Sequence, residues 1–178
     1  MILYRGTDMI DKKQSCAFTG HRPSLYRFGF DEEHPDCLKI KLLMAQKIGE
    51  LISGGVKNFL SGMALGADIW AAEIVLGFRE SDPEIKLTAV IPCETQADKW
   101  SAEQRERYFN ILAECDETVY IRRHYTPSCM FERNRYLIDN SDVLLAVYNG
   151  CKKGGTAFTV RYAKSLGKEV RIIDPENI

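Results

Sequence analysis

The sequence has no long uninterrupted apolar run. No segment approaches the roughly 20 consecutive apolar residues of a membrane-spanning helix, so no membrane role is expected. It has no surplus of charge either: 24 Lys and Arg stand against 25 Asp and Glu, a formal net charge of −1. Nothing global draws such a chain to DNA, RNA or an anionic membrane, and a nucleic-acid site would need a local patch. Histidine is scarce, at 3 residues. His21, His34 and His124 lack ligand-like spacing with one another or with the cysteines, so no metal and no other cofactor is expected. The 6 cysteines, Cys16, Cys37, Cys93, Cys115, Cys129 and Cys151, include no Cys-x-x-Cys pair, which removes a zinc knuckle and a redox dithiol. Several lie inside apolar runs, where a thiol behaves as a small hydrophobe. The opening MILYRGTDMIDKKQS breaks its apolar residues with charges and does not read as a signal peptide. Internal repeats and low-complexity segments are absent. The expectation is a reduced, cytoplasmic protein.

What is present is a core and a rhythm. Of the 178 residues, 45% are hydrophobic, enough for one globular domain. The reading divides the chain into an N-terminal extension, 1–14, and one domain, 15–178. Short apolar runs alternate with helix-like ones. SCAFTG, VKNFLSG, IKLTAVIP, ETVYI, DVLLAVYNG and EVRIID read as strands. Helices are expected from the spacing of Leu38, Leu42, Ala45, Ile48 and Ile52, then over Ala67–Phe78, Ala97–Ala113 and Met130–Asn140, and in TAFTVRYAKSLG. Strands this apolar, joined by helices, imply a mostly parallel six-stranded sheet covered on both faces: an α/β, doubly wound, Rossmann-like domain. Ligands in such sheets bind outside the carboxyl ends of the strands. The stretch HRPSLYRFGFDEEHPDC, about 17 residues, exceeds the usual connection of about 2–6 and stands at that edge.

Three glycine-bearing turns fall at the same edge. In FLSGMALGADIW, Gly62 closes a strand and Gly66-Ala67-Asp68 opens a helix. A helix N-terminus presents unpaired N–H groups and partial positive charge, which suit phosphate when no side chain blocks the backbone. Ser61 could add a hydroxyl, and Asp68 could bond a ribose; the plainer alternative is a tight turn with Asp68 as a cap. TGHRP offers Gly20 for a turn, His21 as a loop hydrogen-bonder and Arg22 for bidentate phosphate contact. In GCKKGGTAFT, Gly154, Gly155 and the Thr156 hydroxyl could form a second anion cradle, with Lys152 and Lys153 beside it. MFERNRYLIDNSD sets Arg133 and Asn134 near a helix start, facing either the crevice or, for Arg133, a surface carboxylate such as Glu132 or Asp139. Glu94 ends the third strand, where it meets a ribose or base or serves as a first-turn acid. Trp100 and Tyr125 are possible stacking surfaces, Trp100 more naturally a core residue.

These motifs, TGHRP, LSGMALGAD, IPCETQADKWS, YTPSCMFERNRYLIDNSDVLLAVYNG and GGTAFTVRYAKSLGK, resemble the YpsA-like family of the SLOG superfamily from about Cys16 to Ile173. The resemblance implies a Rossmann-like fold and binding of nucleotides or nucleotide-derived ligands, and relatives of this fold often pair as homodimers. Superfamily relatives include the LOG phosphoribohydrolases and the DNA-processing protein DprA. The LOG pattern resembles Met-His-x-Arg-Lys followed by Pro-Gly-Gly-x-Gly-Thr-x-x-Glu. Here Arg133 occupies the arginine position and Gly155-Thr156 the last Gly-Thr, but Thr159 stands where the glutamate should be. A neutral hydroxyl cannot replace a carboxylate in stabilising developing positive charge or handling a proton.

Three functional readings follow. The first is a nucleotide-ligand-binding sensor or regulatory protein. The second is a nucleoside-monophosphate N-glycosidase, with Arg133 gripping phosphate and Glu94 or Asp68 replacing the lost carboxylate. The third is a single-stranded DNA binder using Arg122, Arg123, Arg133, Arg135, Lys152 and Lys153, a reading opposed by the near-neutral charge.

Overall fold

The computed structural model describes residues 14–178; the expected N-terminal extension otherwise lies outside the described residues. The elements run β1 (Ser15–Gly20), α1 (Pro35–Ser53), β2 (Asn58–Ser61), α2 (Ala67–Arg79), β3 (Lys86–Cys93), α3 (Ala102–Glu114), β4 (Glu117–Arg122), α4 (Cys129–Asp139), β5 (Val143–Val147), α5 (Gly155–Ser165) and β6 (Glu169–Ile173). The six strands form one sheet in the order β4-β3-β2-β1-β5-β6, and every neighbouring pair is parallel. The expected architecture is thus present, with no antiparallel strand in the sheet.

Successive strand residues point to opposite faces, and both faces are buried. Cys16, Phe18, Phe59, Leu87, Ala89, Ile91, Leu145 and Val147 face one cluster, shared with buried residues of α1, α2 and α3. Ala17, Leu60, Val90, Val119, Ile121, Leu144 and Ala146 face the other, shared with Leu137 and Ile138 of α4 and Val160 and Ala163 of α5. This is why the strands read as continuous apolar runs. All six cysteines are free. Among the described residues, no helix is long and apolar enough to cross a membrane.

Two boundaries differ from expectation. The helix expected from Ala97 begins at Ala102, because Ser101 and Gln104 form a capping box: the Ser101 hydroxyl accepts from the Gln104 N–H at 3.2 Å, and the Gln104 side chain accepts from the Ser101 N–H. The first helix begins earlier than its apolar spacing suggested. Pro35 takes its first turn, and His34 Nδ1 accepts from the Asp36 N–H at 3.1 Å. The long connection therefore ends at His34 and contains a 3₁₀ turn, Pro23–Leu25.

The topology fixes where a crevice opens. The chain proceeds outward from β1 through β2 and β3 to β4, then returns to the other side of β1 for β5 and β6. The connections leaving β1 and β5 therefore diverge to opposite sides, which leaves a gap at their carboxyl ends.

Candidate functional site

A pocket of about 290 Å³ lies there, lined from β1 and its connection by Gly20, His21, Arg22 and Leu25, from α2 by Asp68, from α4 by Met130, Phe131, Arg133 and Asn134, and from the α5 entry by Lys153, Gly154, Gly155 and Thr156. Nine of the residues singled out in the sequence thus meet around one cavity: Gly20, His21, Arg22, Asp68, Arg133, Asn134, Gly154, Gly155 and Thr156. Ser61, Gly62, Gly66, Ala67 and Glu94 are not among its lining residues.

The floor of the pocket is a buried ion pair. Arg133 is 5% exposed and Asp68 6%, and Arg133 Nη1 donates to Asp68 Oδ2 at 3.2 Å. Asp68 also accepts from the Ala64 N–H at 3.3 Å. Burial is the leading influence on both groups: it raises the Asp68 carboxyl and lowers the Arg133 guanidinium, against their mutual attraction. Arg133 Nε is buried and meets no acceptor. The alternative surface pairing of Arg133 with Glu132 or Asp139 does not form; Glu132 instead accepts from Arg122 Nε at 2.8 Å.

Around FLSGMALGADIW, protein packs closely against both glycines. Gly66, Ala67 and Asp68 are buried, and the start of α2 is covered by the chain leaving β1. A Cβ on Gly66 would lie 2.8 Å from the His21 carbonyl oxygen, and its φ of +94° lies in the left-handed region that favours glycine. A Cβ on Gly62 would fall 1.4 Å from Arg133 Nη1. The space beside these two glycines is taken by the His21 carbonyl and the Arg133 guanidinium. The Ser61 hydroxyl is also occupied, donating to the Asp68 carbonyl at 2.9 Å and accepting from the Met63 N–H at 3.1 Å.

The open helix N-terminus belongs to α5. Gly154 and Gly155 are exposed, and Gly154 supplies no side-chain cap. The Thr156 hydroxyl donates to the Gly20 carbonyl at 2.9 Å, so its proton holds β1 against α5 and its oxygen keeps only acceptor capacity. The side chains of Arg22 and Lys153 are exposed and make no ion pair among the described residues, and the Asn134 amide makes no side-chain hydrogen bond there. His21 is buried with Nε2 at 2.9 Å from Asn149 Oδ1. Glu94 stands exposed, 3.9 Å from Arg123. It ends β3, two strands from β1, roughly 10 Å away at the usual strand spacing, which explains its distance from the pocket. Tyr125 is exposed outside the pocket. Trp100 packs edge-on against Tyr108 at 5.3 Å.

A family model, YpsA, described as the YspA SLOG family, matches residues 16–177. The chain belongs to this family. Among its relatives is a UPF0398 protein of Bacillus pumilus (strain SAFR-032), 32% identical over 152 residues, 84% of this chain and 81% of that one. A UPF0398 protein of Bacillus thuringiensis (strain Al Hakam) is 31% identical over 155 residues, 85% and 83% of the two chains. The crystal structure of TM1055, a structural-genomics target, superposes with a TM-score of 0.52 over 88% of this chain and 72% of that one, at 17% identity. That likeness concerns the fold.

In this member of the YpsA family, Thr159, which the resemblance sets at the LOG glutamate position, packs inside the fold. Thr159 is 1% exposed, and its hydroxyl donates to the Gly155 carbonyl one turn back at 2.8 Å. The lining residues that sequence reading missed are Phe18 and Thr19 at the end of β1, and Leu25, Ala64, Met130 and Phe131. The signal of the apolar ones was weak because an apolar residue in a strand, loop or first helical turn looks like ordinary packing.

Proposed function

We propose that this YpsA-family protein binds a phosphate-bearing, nucleotide-type ligand in the β1–β5 pocket, as a sensor or regulatory protein rather than an N-glycosidase. The observation that carries the reading is Arg133: a buried guanidinium lining the pocket whose Nε–H has no acceptor. An unpaired buried donor costs free energy, and an anionic ligand that shifts the Arg133 side chain enough to reach it would recover that cost. The uncapped α5 N-terminus supports the same reading, with Arg22 and Lys153 beside it. The lone carboxylate of the pocket, Asp68, is held by Arg133. The pocket is at the small end of ligand sites, which suits one compact ligand. Thr159 in place of a carboxylate argues against glycosidic cleavage.

The test is a thermal-shift screen of the full chain with nucleoside mono-, di- and triphosphates, ADP-ribose and cyclic dinucleotides, followed by chromatography of the same samples. A ligand at a hundredfold excess over its Kd should stabilise by about 2.7 kcal/mol and be recovered intact. Arg22→Ala should weaken that effect, and Glu94→Gln should not. No shift with any nucleotide would overturn the binding reading, and release of free base would replace it with the enzyme.

A further inference from the structure

The pocket also carries apolar side chains that phosphate does not need. Leu25 lies in the 3₁₀ turn after β1, and Met130 and Phe131 in the first turn of α4; all three line the same cavity as Arg22 and Arg133. Leu25 is 69% exposed and Phe131 47%. Neither belongs to the two buried clusters, so core packing does not account for them. The Phe131 ring is held edge-on by Phe158 at a centroid distance of 5.0 Å and 83° between planes. Among the polar lining groups, the Asn134 amide lies 3.6 Å from where a Gly155 Cβ would sit, beside the helix N-terminus, and Thr156 and His21 are engaged by Gly20 and Asn149.

We infer that Leu25 and Phe131 are specificity residues, against which a flat heteroaromatic ring of the ligand packs while its phosphate meets the Gly154–Thr156 turn. This rests on the phosphate-site reading above and adds the other half of the ligand. Apolar and stacking contacts sense that a ring is present without reading its hydrogen-bonding edge. The site therefore requires both ring and phosphate but discriminates weakly among bases.

Titration calorimetry of the full chain separates the two halves. The probes are inorganic phosphate, ribose 5-phosphate and the four nucleoside 5′-monophosphates; the variants are Phe131→Ala, Leu25→Ala and Arg22→Ala. The four nucleotides should bind within about tenfold of one another, and ribose 5-phosphate at least about tenfold more weakly. Phe131→Ala should weaken every nucleotide about tenfold, as expected for one lost stacking surface, while ribose 5-phosphate changes less than about twofold. Leu25→Ala, at a still more exposed position, should move nucleotides in the same direction with no dependence on folding. If both apolar variants leave nucleotide affinity unchanged, or weaken ribose 5-phosphate equally, the ring assignment is overturned. If Arg22→Ala still weakens every probe in that case, the phosphate site survives alone. No binding of any probe overturns both.

Discussion

A methyl group at position 62 would occupy the space of the Arg133 guanidinium, 1.4 Å from Nη1. Gly62→Ala must therefore displace a buried cation from Asp68, its only carboxylate partner among the described residues. The expected loss is about 2–4 kcal/mol of stability, read by urea denaturation. Asp68→Ala should cost about 3–5 kcal/mol, because it leaves the Arg133 charge buried and unpaired. Adding Arg133→Met removes that charge while keeping apolar volume, and the double variant should recover roughly half of the loss or more. Strictly additive losses would contradict the pair. Each of these residues stood out in the sequence, but their partnership did not. Asp68 and Arg133 lie 65 positions apart, on helices packed against opposite faces of the sheet, and only the folded sheet brings the starts of both helices to one carboxyl edge. The same lack of sequence visibility hid the close approach of the His21 carbonyl to Gly66.

The element that most needed tertiary information is the β1–α1 connection. Its length marked it as unusual, but nothing local shows what holds it. Glu32 does: its carboxylate accepts from Trp70 Nε1 at 2.8 Å, Lys41 Nζ at 2.6 Å, and Arg107 Nη1 and Nη2 at 2.7 and 3.0 Å. Arg107 binds Glu73 on α2 with its other edge, at 2.6 Å. Burial alone would raise the Glu32 carboxyl, but these hydrogen bonds outweigh it and hold its pKa at about 2, down from 4.5. The folded pKa is the lower one, so the stabilisation is complete above pH 4.5 and is lost as pH falls from there through about 2. Glu32→Gln should cost about 1–2 kcal/mol at pH 7, allowing for solvent screening of a half-buried group. Its difference from the parent protein should shrink in urea titrations at pH 5, 4 and 3; a constant difference would contradict the linkage. The capping box of α3 was readable in principle, since Ser101 and Gln104 carry the Ser-x-x-Gln spacing. The amphipathic pattern extending back to Ala97 masked it. Ser101→Ala should lower stability by about 1 kcal/mol in the same assay.

At the scale of the whole molecule, alternation of apolar strands and helices was enough to imply the sheet and its two covered faces, because burial on both sides leaves a continuous apolar signal. It did not reveal which strand ends would converge, since strand order is a long-range property, and so Glu94 looked equivalent to Arg22. The same folded arrangement weighs against a nucleic-acid track. Of the basic residues that could form one, Arg122 is paired with Glu132, Arg133 is buried on Asp68, and Arg135 lies over the Phe158 and Tyr162 rings. Arg123 lies 3.9 Å from Glu94, leaving Lys152 and Lys153, with Arg22 on the same pocket as Lys153, as a short basic cluster rather than a track. A single strand gripped at four phosphates would give a log–log salt slope near about −3. The expected result is therefore no measurable binding of a single-stranded oligonucleotide at physiological salt, with nucleotide binding retained under the same conditions. Fluorescence anisotropy with a labelled oligonucleotide, repeated at two salt concentrations, decides it. Tight binding with a steep salt slope would mean that the pocket is the end of a longer groove, and that its cations serve a polymer instead of a single nucleotide.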